Sequence, residues 1–224
     1  MHRVALYWAP APHDPLHAAG SAWLGRDAET GATLAQPPIE GIAELTADAR
    51  GYGLHATLKP PFRLATSWAA LRADAAAFAA RTAPFQMPPL AVADLKGFLA
   101  LRETAPCPAL HALADAAVAA LDAHRAPPTA EELARRRKAG LTPRQEALLA
   151  RWGYPYVMEE WRFHVTLTRR LAPEEMARLR PRAEALLAQA AGRPRRVEAV
   201  CLFTQAAPGA PFLVAERLAL SGRG

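Results

Sequence analysis

Apolar and polar residues alternate along several short segments of this chain and recur with helical spacing along others. The alternating segments predict strands at 3–9, 54–58, 90–95, 98–103, 196–203 and 212–217. Helical spacing, often behind an N-cap residue or a first-turn proline, predicts helices at 15–24, 39–49, 68–81, 107–124, 129–139, 142–152 and 173–190. The first of these helices has Asp14 as its N-cap and Gly25 just after its end.

The order of these elements is partly repeated along the chain. After the strand at 54–58 come a helix, a strand, a turn and a second strand. After the segment 162–168 the same order returns, and a stretch of helices separates the two copies. We therefore predict an internal duplication, carried by element order and not by residue identity.

One tetrapeptide pattern, His-x-Thr-Leu, occurs once in each copy, at residues 55–58 and 164–167. In an extended strand, residues i and i+2 point the same way, so each copy projects an imidazole and a hydroxyl from one face. Two such imidazoles across a cleft can act as general base and general acid, and the hydroxyls can bind oxyanions. The predicted catalytic residues are His55, Thr57, His164 and Thr166.

The same alternation places further polar residues beside the two motifs. Lys59 follows on the face of the first motif, and Arg162 and Thr168 flank the second. Lys59 and Arg162 are predicted to hold a phosphate, Arg162 through its planar fork of donors. Tyr7 on the first strand is predicted to look into the cleft. Tyr154 leads into the second motif and is predicted either to stack on a base or sugar or to pack at the strand entrance.

The sequence allows two other interpretations of the histidines. Either motif alone is compatible with a solvent-exposed histidine on an outer strand face, but the repetition and the matched cations favour a functional site. A metal site is a weaker alternative, because no carboxylate or third histidine lies at ligand spacing and Glu159 and Glu160 would have to supply it. No metal and no cofactor are predicted.

Composition adds limits to this picture. The net charge of +6 and the pI near 9.9 fit an anionic small molecule as well as RNA. The dense basic run at 135–138 is read as a solvated helix face. Cys107 and Cys201 make no disulfide framework, and no segment reads as a signal or a membrane span. A cytoplasmic protein without a membrane partner is therefore expected, and the sequence leaves its oligomeric state open.

At these motifs the chain resembles the 2H phosphoesterase superfamily, named for its two His-x-Ser/Thr-hydrophobic repeats. The segments 51–62, 152–156 and 162–168 look more narrowly like a bacterial subgroup of phosphonate-metabolism proteins. The resemblance implies an α+β fold with two pseudo-symmetric lobes, each an antiparallel sheet with outer helices, facing a central cleft. The chain would form a single bilobal domain over 1–224, with lobe cores at 39–105 and 153–224, a helical insertion at 106–152, and strand 3–9 completing a sheet.

The resemblance also implies a reaction, the metal-independent opening of a cyclic phosphodiester by the four motif residues. The substrate would be a ribose cyclic phosphate of phosphonate breakdown or a 2′,3′-cyclic nucleotide or RNA end. Two alternatives stay open. One is a non-catalytic RNA- or phospholigand-binding module that uses the same cleft, and the other, less favoured, is a scaffold in a phosphonate pathway complex.

Overall fold

The computed structural model describes residues 1–138 and 140–223, and within them the chain forms nine strands and eight α-helices. The strands are β1 (Arg3–Trp8), β2 (Ala56–Phe62), β3 (Phe85–Met87), β4 (Leu90–Asp94), β5 (Leu99–Glu103), β6 (Val165–Thr166), β7 (Arg195–Val197), β8 (Ala199–Gln205) and β9 (Phe212–Ala219). The helices are α1 (Pro15–Leu24), α2 (Ile42–Leu45), α3 (Ala47–Tyr52), α4 (Trp68–Arg81), α5 (Pro108–Ala120), α6 (Ala130–Arg137), α7 (Pro143–Trp152) and α8 (Pro173–Ala191). The last residue of the helix predicted at 129–139 lies outside the described residues.

In the described part of the chain, seven strands form one antiparallel sheet in the order β4-β5-β6-β2-β1-β8-β9, and β3 pairs with β7 in a small second sheet. Helices pack on the large sheet, with α5 against β2, α8 against β4 and α4 against β9. The predicted α+β class is confirmed.

The two hairpins of the large sheet exchange partners between the halves of the chain. The β4–β5 hairpin follows the first motif but pairs with β6, which carries the second motif. The β8–β9 hairpin follows the second motif but pairs with β1, which in turn pairs with the first motif strand, β2. The sheet therefore interleaves the two copies, with β1 as a linking strand, and the boundaries of the two lobes remain a prediction.

The two faces of the large sheet differ in what covers them. One face carries the main core, where side chains such as Leu6, Ala56, Leu58 and Val165 pack beneath the helices. The opposite face carries a smaller apolar cluster that includes Tyr7, Phe203 and Phe212. Where the strand pairing is regular, successive residues alternate between the two faces, so a residue next to a core residue faces away from the helices.

The structure corrects the predicted bounds of the first motif strand and of the helix at 39–49, and confirms those of α1. The first motif strand does not stop at Pro60 but continues to Phe62, because β6 pairs with it only at Ala56 and the prolines need no partner on that side. The helix predicted at 39–49 is two short helices that meet at Thr46. Helix α1 begins and ends as predicted, with Asp14 accepting from the Leu16 amide and Gly25 in the left-handed conformation at its end.

Two further findings concern the described residues as a whole. None of their helices combines the length and the apolar character that a membrane crossing requires. No group of three or more histidine, cysteine, aspartate or glutamate side chains among them is arranged to hold a metal ion.

Candidate active site

The two motif strands lie side by side in the middle of the sheet. Ala56 pairs with Val165 in an antiparallel register, which sets His55 opposite Thr166 and Thr57 opposite His164. The Trp161 indole donates to the Thr57 carbonyl oxygen over 2.8 Å and so ties the approach to the second motif to the first. Because Ala56 and Val165 are buried in the main core, the four motif side chains project from the opposite face.

Both imidazoles are oriented in the same way. Nδ1 of His55 lies 2.9 Å from the Gly53 carbonyl oxygen, and Nδ1 of His164 lies 2.8 Å from the Arg162 carbonyl oxygen. A carbonyl oxygen only accepts hydrogen bonds, so Nδ1 carries the proton in each neutral ring. Nε2 is then the free, basic nitrogen of both rings, and the Thr57 hydroxyl lies 3.4 Å from that atom of His55.

The backbone at Gly53 explains why a glycine precedes the first motif. Gly53 ends helix α3 with φ 80° and ψ −179°, a conformation that L side chains rarely adopt. A Cβ at this position would lie only 2.4 Å from the Cβ of Ala28. The positive φ and the close approach of Ala28 both require glycine here, and the backbone conformation sets the direction of the carbonyl that orients His55. Gly53 therefore positions the imidazole although it does not line the groove.

All four motif side chains line one groove with a volume of about 240 Å³. The groove is also lined by three tyrosines, two arginines and one carboxylate, which are Tyr7, Tyr52, Tyr154, Arg3, Arg136 and Asp48. His55 lies among aromatic rings, with its centroid 4.0 Å from that of Tyr7 and 5.8 Å from that of Tyr52. His164 is bordered by the Phe98 ring at 6.0 Å, in an edge-on arrangement.

This environment disfavours positive charge on both histidines. Burial lowers the pKa of His55 to about 4, partly offset by the hydrogen bond to Gly53, and His164 nearby adds to the lowering. Burial also lowers the pKa of His164, with the hydrogen bond to Arg162 acting the other way. Without a bound anion, both rings are therefore neutral near pH 7, and an anion between them would favour protonation.

Lys59 is not in the groove, and its predicted role in phosphate binding is corrected. Tyr7 and Leu6 are consecutive on β1, yet they pair with Thr57 and Lys59 on β2, which therefore carries one extra residue between these positions. Paired residues share a face, so Thr57 faces the groove with Tyr7 and Lys59 faces the core with Leu6. There Lys59 is 1% exposed, and its ammonium donates to the Val118 carbonyl and the Asp122 carboxylate.

Two other predicted binding residues also lie elsewhere. The Arg162 guanidinium donates to the backbone carbonyls of Glu159 and Trp161 and does not line the groove. The Thr168 side chain is buried, and its hydroxyl accepts from the Leu99 amide at 3.0 Å. The prediction for Thr168 failed because the second motif strand ends at Thr166, so the strand alternation does not extend to Thr168.

Tyr7 and Tyr154 both line the groove, and their contact with a substrate remains a prediction. Tyr154 lies under the Arg136 guanidinium at 4.5 Å and meets the Tyr156 ring edge-on at 5.7 Å. Tyr154 therefore packs against neighbouring residues and also borders the groove. Its position is compatible with both alternatives from the sequence, packing at the strand entrance and stacking on a base or sugar.

Sequence reasoning missed both arginines of the groove. Arg136 belongs to the basic run at 135–138, for which the sequence predicts a solvated face. Residues 135, 137 and 138 are exposed, but Arg136 turns toward Tyr154. Arg3 shares a face with Tyr7 on β1, since the two are four residues apart. The period of two along β1 could have indicated Arg3, whereas nothing local distinguishes Arg136 from its neighbours.

The fold and the site together define an α+β protein with a two-histidine groove at the centre of an antiparallel sheet. The family described as "Protein of unknown function (DUF1045)" matches residues 57–213 of the chain. The chain therefore belongs to this family. The match includes the whole second motif and begins at Thr57 of the first.

Two curated relatives share the name "Ribose 1,5-bisphosphate phosphokinase PhnN". The protein from Janthinobacterium sp. (strain Marseille) is 42% identical over 235 residues, which cover 100% of this chain and 52% of the relative. The protein from Laribacter hongkongensis (strain HLHK9) is 41% identical over 214 residues, or 94% of this chain and 50% of the relative. The chain thus spans about half the length of these relatives.

Among solved structures, E. coli LigT complexed with 3′-AMP aligns over 98% of both chains, with 15% identity and a TM-score of 0.48. A likeness this distant says nothing about the activity of this chain.

Proposed function

We propose that the protein is a metal-independent phosphoesterase of the 2H type that opens a cyclic phosphodiester by general acid–base catalysis. The observation that carries the proposal is the placement of both His-x-Thr pairs in one groove, with each imidazole held by a backbone carbonyl so that Nε2 is free. A binding module has no need of two imidazoles in matched tautomers, whereas acid–base catalysis does.

The proposed reaction begins with a phosphate between the two rings. His55 takes a proton from a water molecule as its oxygen attacks phosphorus, and the bond from phosphorus to one ribose oxygen breaks. Protonated His164 gives its proton to that leaving oxygen, and Thr57 and Thr166 donate hydrogen bonds to the phosphoryl oxygens as charge develops. The product is a phosphate monoester, and proton exchange with solvent restores both histidines.

The assignment of the two roles rests on their surroundings. Tyr7, Tyr52 and Phe203 surround His55 with aromatic rings, which makes its protonated form costly and suits it to the role of base. Among the described residues His164 has one aromatic neighbour, Phe98, instead of three; Arg102 disfavours its imidazolium and Glu103 favours it to a smaller extent. His164 is therefore the better acid of the two.

A phosphorylated ribose is the favoured substrate. The name that the two relatives share refers to ribose 1,5-bisphosphate, a phosphorylated ribose, although this chain matches only about half of each relative. Together with the resemblance of the motifs to phosphonate-metabolism proteins, this favours a ribose cyclic phosphate over an RNA end.

The test is a panel of ribose 1,2-cyclic phosphate and 2′,3′-cyclic nucleotides followed by phosphorus NMR, with and without EDTA. We expect a cyclic-phosphate signal to be replaced by that of one monoester at the same rate in both conditions. Micromolar binding without any product would favour the binding module. Loss of turnover in EDTA that zinc or magnesium restores would contradict the metal-independent mechanism.

The pH dependence of kcat/KM follows from the two histidine pKa values. The base must be neutral, so the rate rises with pH through the pKa of His55, about 4. The acid must be protonated, so the rate falls as pH rises through the pKa of His164, which lies below its ordinary 6.5. With 2′,3′-cyclic AMP we expect a bell-shaped profile with its maximum between these values, and a maximum above pH 7.5 would contradict the assignment.

A further inference from the structure

The groove is longer than the two histidines require, and its far end is basic. Tyr7 pairs with Thr57, which sets it beside the motif residues, whereas Arg3 lies four residues earlier on β1. Four residues of a strand span roughly 13 Å. Arg3 therefore lies on β1 beyond the imidazoles, and Arg136 lines the same groove.

These two guanidinium groups are largely uncommitted. Arg3 donates from Nε to the Gln205 side chain at 2.8 Å, and Arg136 lies over the Tyr154 ring. Within residues 1–138 and 140–223, no carboxylate forms an ion pair with either guanidinium. Asp48, an exposed side chain at the rim, is the carboxylate among the groove-lining residues. Two guanidinium groups and one carboxylate give this end of the groove a net positive charge, which favours the binding of an anion.

A buried hydroxyl provides an independent observation in the same groove. The Tyr7 side chain is 0% exposed, and its hydroxyl has no hydrogen-bond partner among the described residues. A buried polar group without a partner is costly and calls for an explanation, such as a ligand group that completes it. Burial raises the pKa of Tyr7 well above its ordinary value, Tyr52 adds to this and Arg3 opposes it. The hydroxyl therefore stays protonated and can donate.

We propose that Arg3, Arg136 and the Tyr7 hydroxyl form a second anion subsite, and that the substrate is a cyclic phosphate carrying a further, terminal phosphate group. This inference rests on the proposed function and narrows its substrate class. The motif histidines and threonines bind the phosphate that reacts, and the arginines bind the phosphate that does not.

The test compares 2′,3′-cyclic AMP with the same compound bearing a 5′-phosphate, since the pair differs only in the second phosphate. We expect the wild-type protein to have a KM at least about tenfold lower for the 5′-phosphorylated compound, because charge-assisted hydrogen bonds are strong. Arg136→Gln should raise that KM by about tenfold and leave the KM for 2′,3′-cyclic AMP within about twofold.

Arg137→Gln is the matched control, because Arg137 lies on the same helix but pairs with Glu146. Its KM values should equal those of the wild type. Equal KM values for the two compounds would overturn the subsite. An equal rise for both compounds in Arg136→Gln would also overturn it, since Arg136 would then bind the reacting phosphate.

A binding experiment separates this proposal from the proposed function. The dissociation constants of the same two compounds are measured by calorimetry on the wild type and on Arg136→Gln, each in a His164→Ala background that does not consume the ligand. A preference for the 5′-phosphorylated compound that Arg136→Gln removes supports the subsite, even if the wild type hydrolyses neither compound. Hydrolysis of both compounds without any preference in binding refutes the subsite and leaves the phosphoesterase function standing.

Discussion

Replacing either motif histidine by alanine should lower kcat for a cyclic phosphodiester by roughly 10²–10⁴-fold, the range expected for loss of a positioned acid or base. Both imidazoles line the groove and are only partly buried, so neither is needed for the main core. His13→Ala is the control, because His13 is exposed and does not line the groove. Steady-state kinetics on 2′,3′-cyclic AMP, with thermal unfolding as a check on the fold, measure the effect.

The double variant makes the prediction sharper. If His55 and His164 act on one phosphate in one step, the first histidine removed should account for most of the loss in kcat. Removing the other histidine as well should lower kcat much less, because the effects of groups that act as a unit are not additive. Losses that multiply would mean that the two histidines act independently. Full turnover in either single variant would exclude the acid–base pair altogether.

Lys59→Ala should destabilise the protein by roughly 3 kcal/mol, the cost of breaking a buried ion pair. The ammonium is almost fully buried and is held by Asp122 at 3.1 Å and by the Val118 carbonyl at 3.0 Å. Asp122 would keep only Arg125 as an ionic partner among the described residues. For a chain of this length the loss corresponds to a midpoint lowered by roughly 6–12 °C.

Kinetics on the same variant separate a structural role from a binding role. At a temperature where Lys59→Ala is folded, kcat and KM should stay within about twofold of the wild type, because the side chain lies on the opposite side of the sheet from the groove. Lys138→Ala, an exposed lysine, serves as the control for unfolding. An unchanged midpoint with a strongly raised KM would restore Lys59 to the phosphate site and contradict the structure.

Local patterns predicted which motif side chains share a face better than they predicted the positions of the neighbouring polar residues. The two-residue period placed His55, Thr57, His164 and Thr166 on one face because the backbone is extended across each motif. The period failed at Lys59, because β2 carries an extra residue between Thr57 and Lys59. In the sequence, only the two prolines that follow Lys59 indicate that the strand is irregular there. The period failed again at Thr168, because the second motif strand ends at Thr166.

Long-range features needed the structure. The duplicated order of elements is visible in the sequence. The exchange of the two hairpins between the motif strands is not, because the paired residues are more than 60 positions apart and a local period carries no information about such pairing. Arg136 reaches the groove only because α6 lies against its rim, and its neighbours in the same basic run do not. Charge patterning describes a helix face, whereas tertiary packing decides which of its residues meets a ligand.

The proposed catalysis requires one phosphate that occupies the space between both imidazoles. Long-range ¹H–¹⁵N NMR of the histidine rings during a titration with inorganic phosphate tests this directly. We predict protonated Nδ1 in both free rings, and a single dissociation constant that describes the changes at His55 and His164, with both pKa values raised by the bound anion. A titration in which only one ring responds, or in which the two rings saturate at different phosphate concentrations, would contradict it.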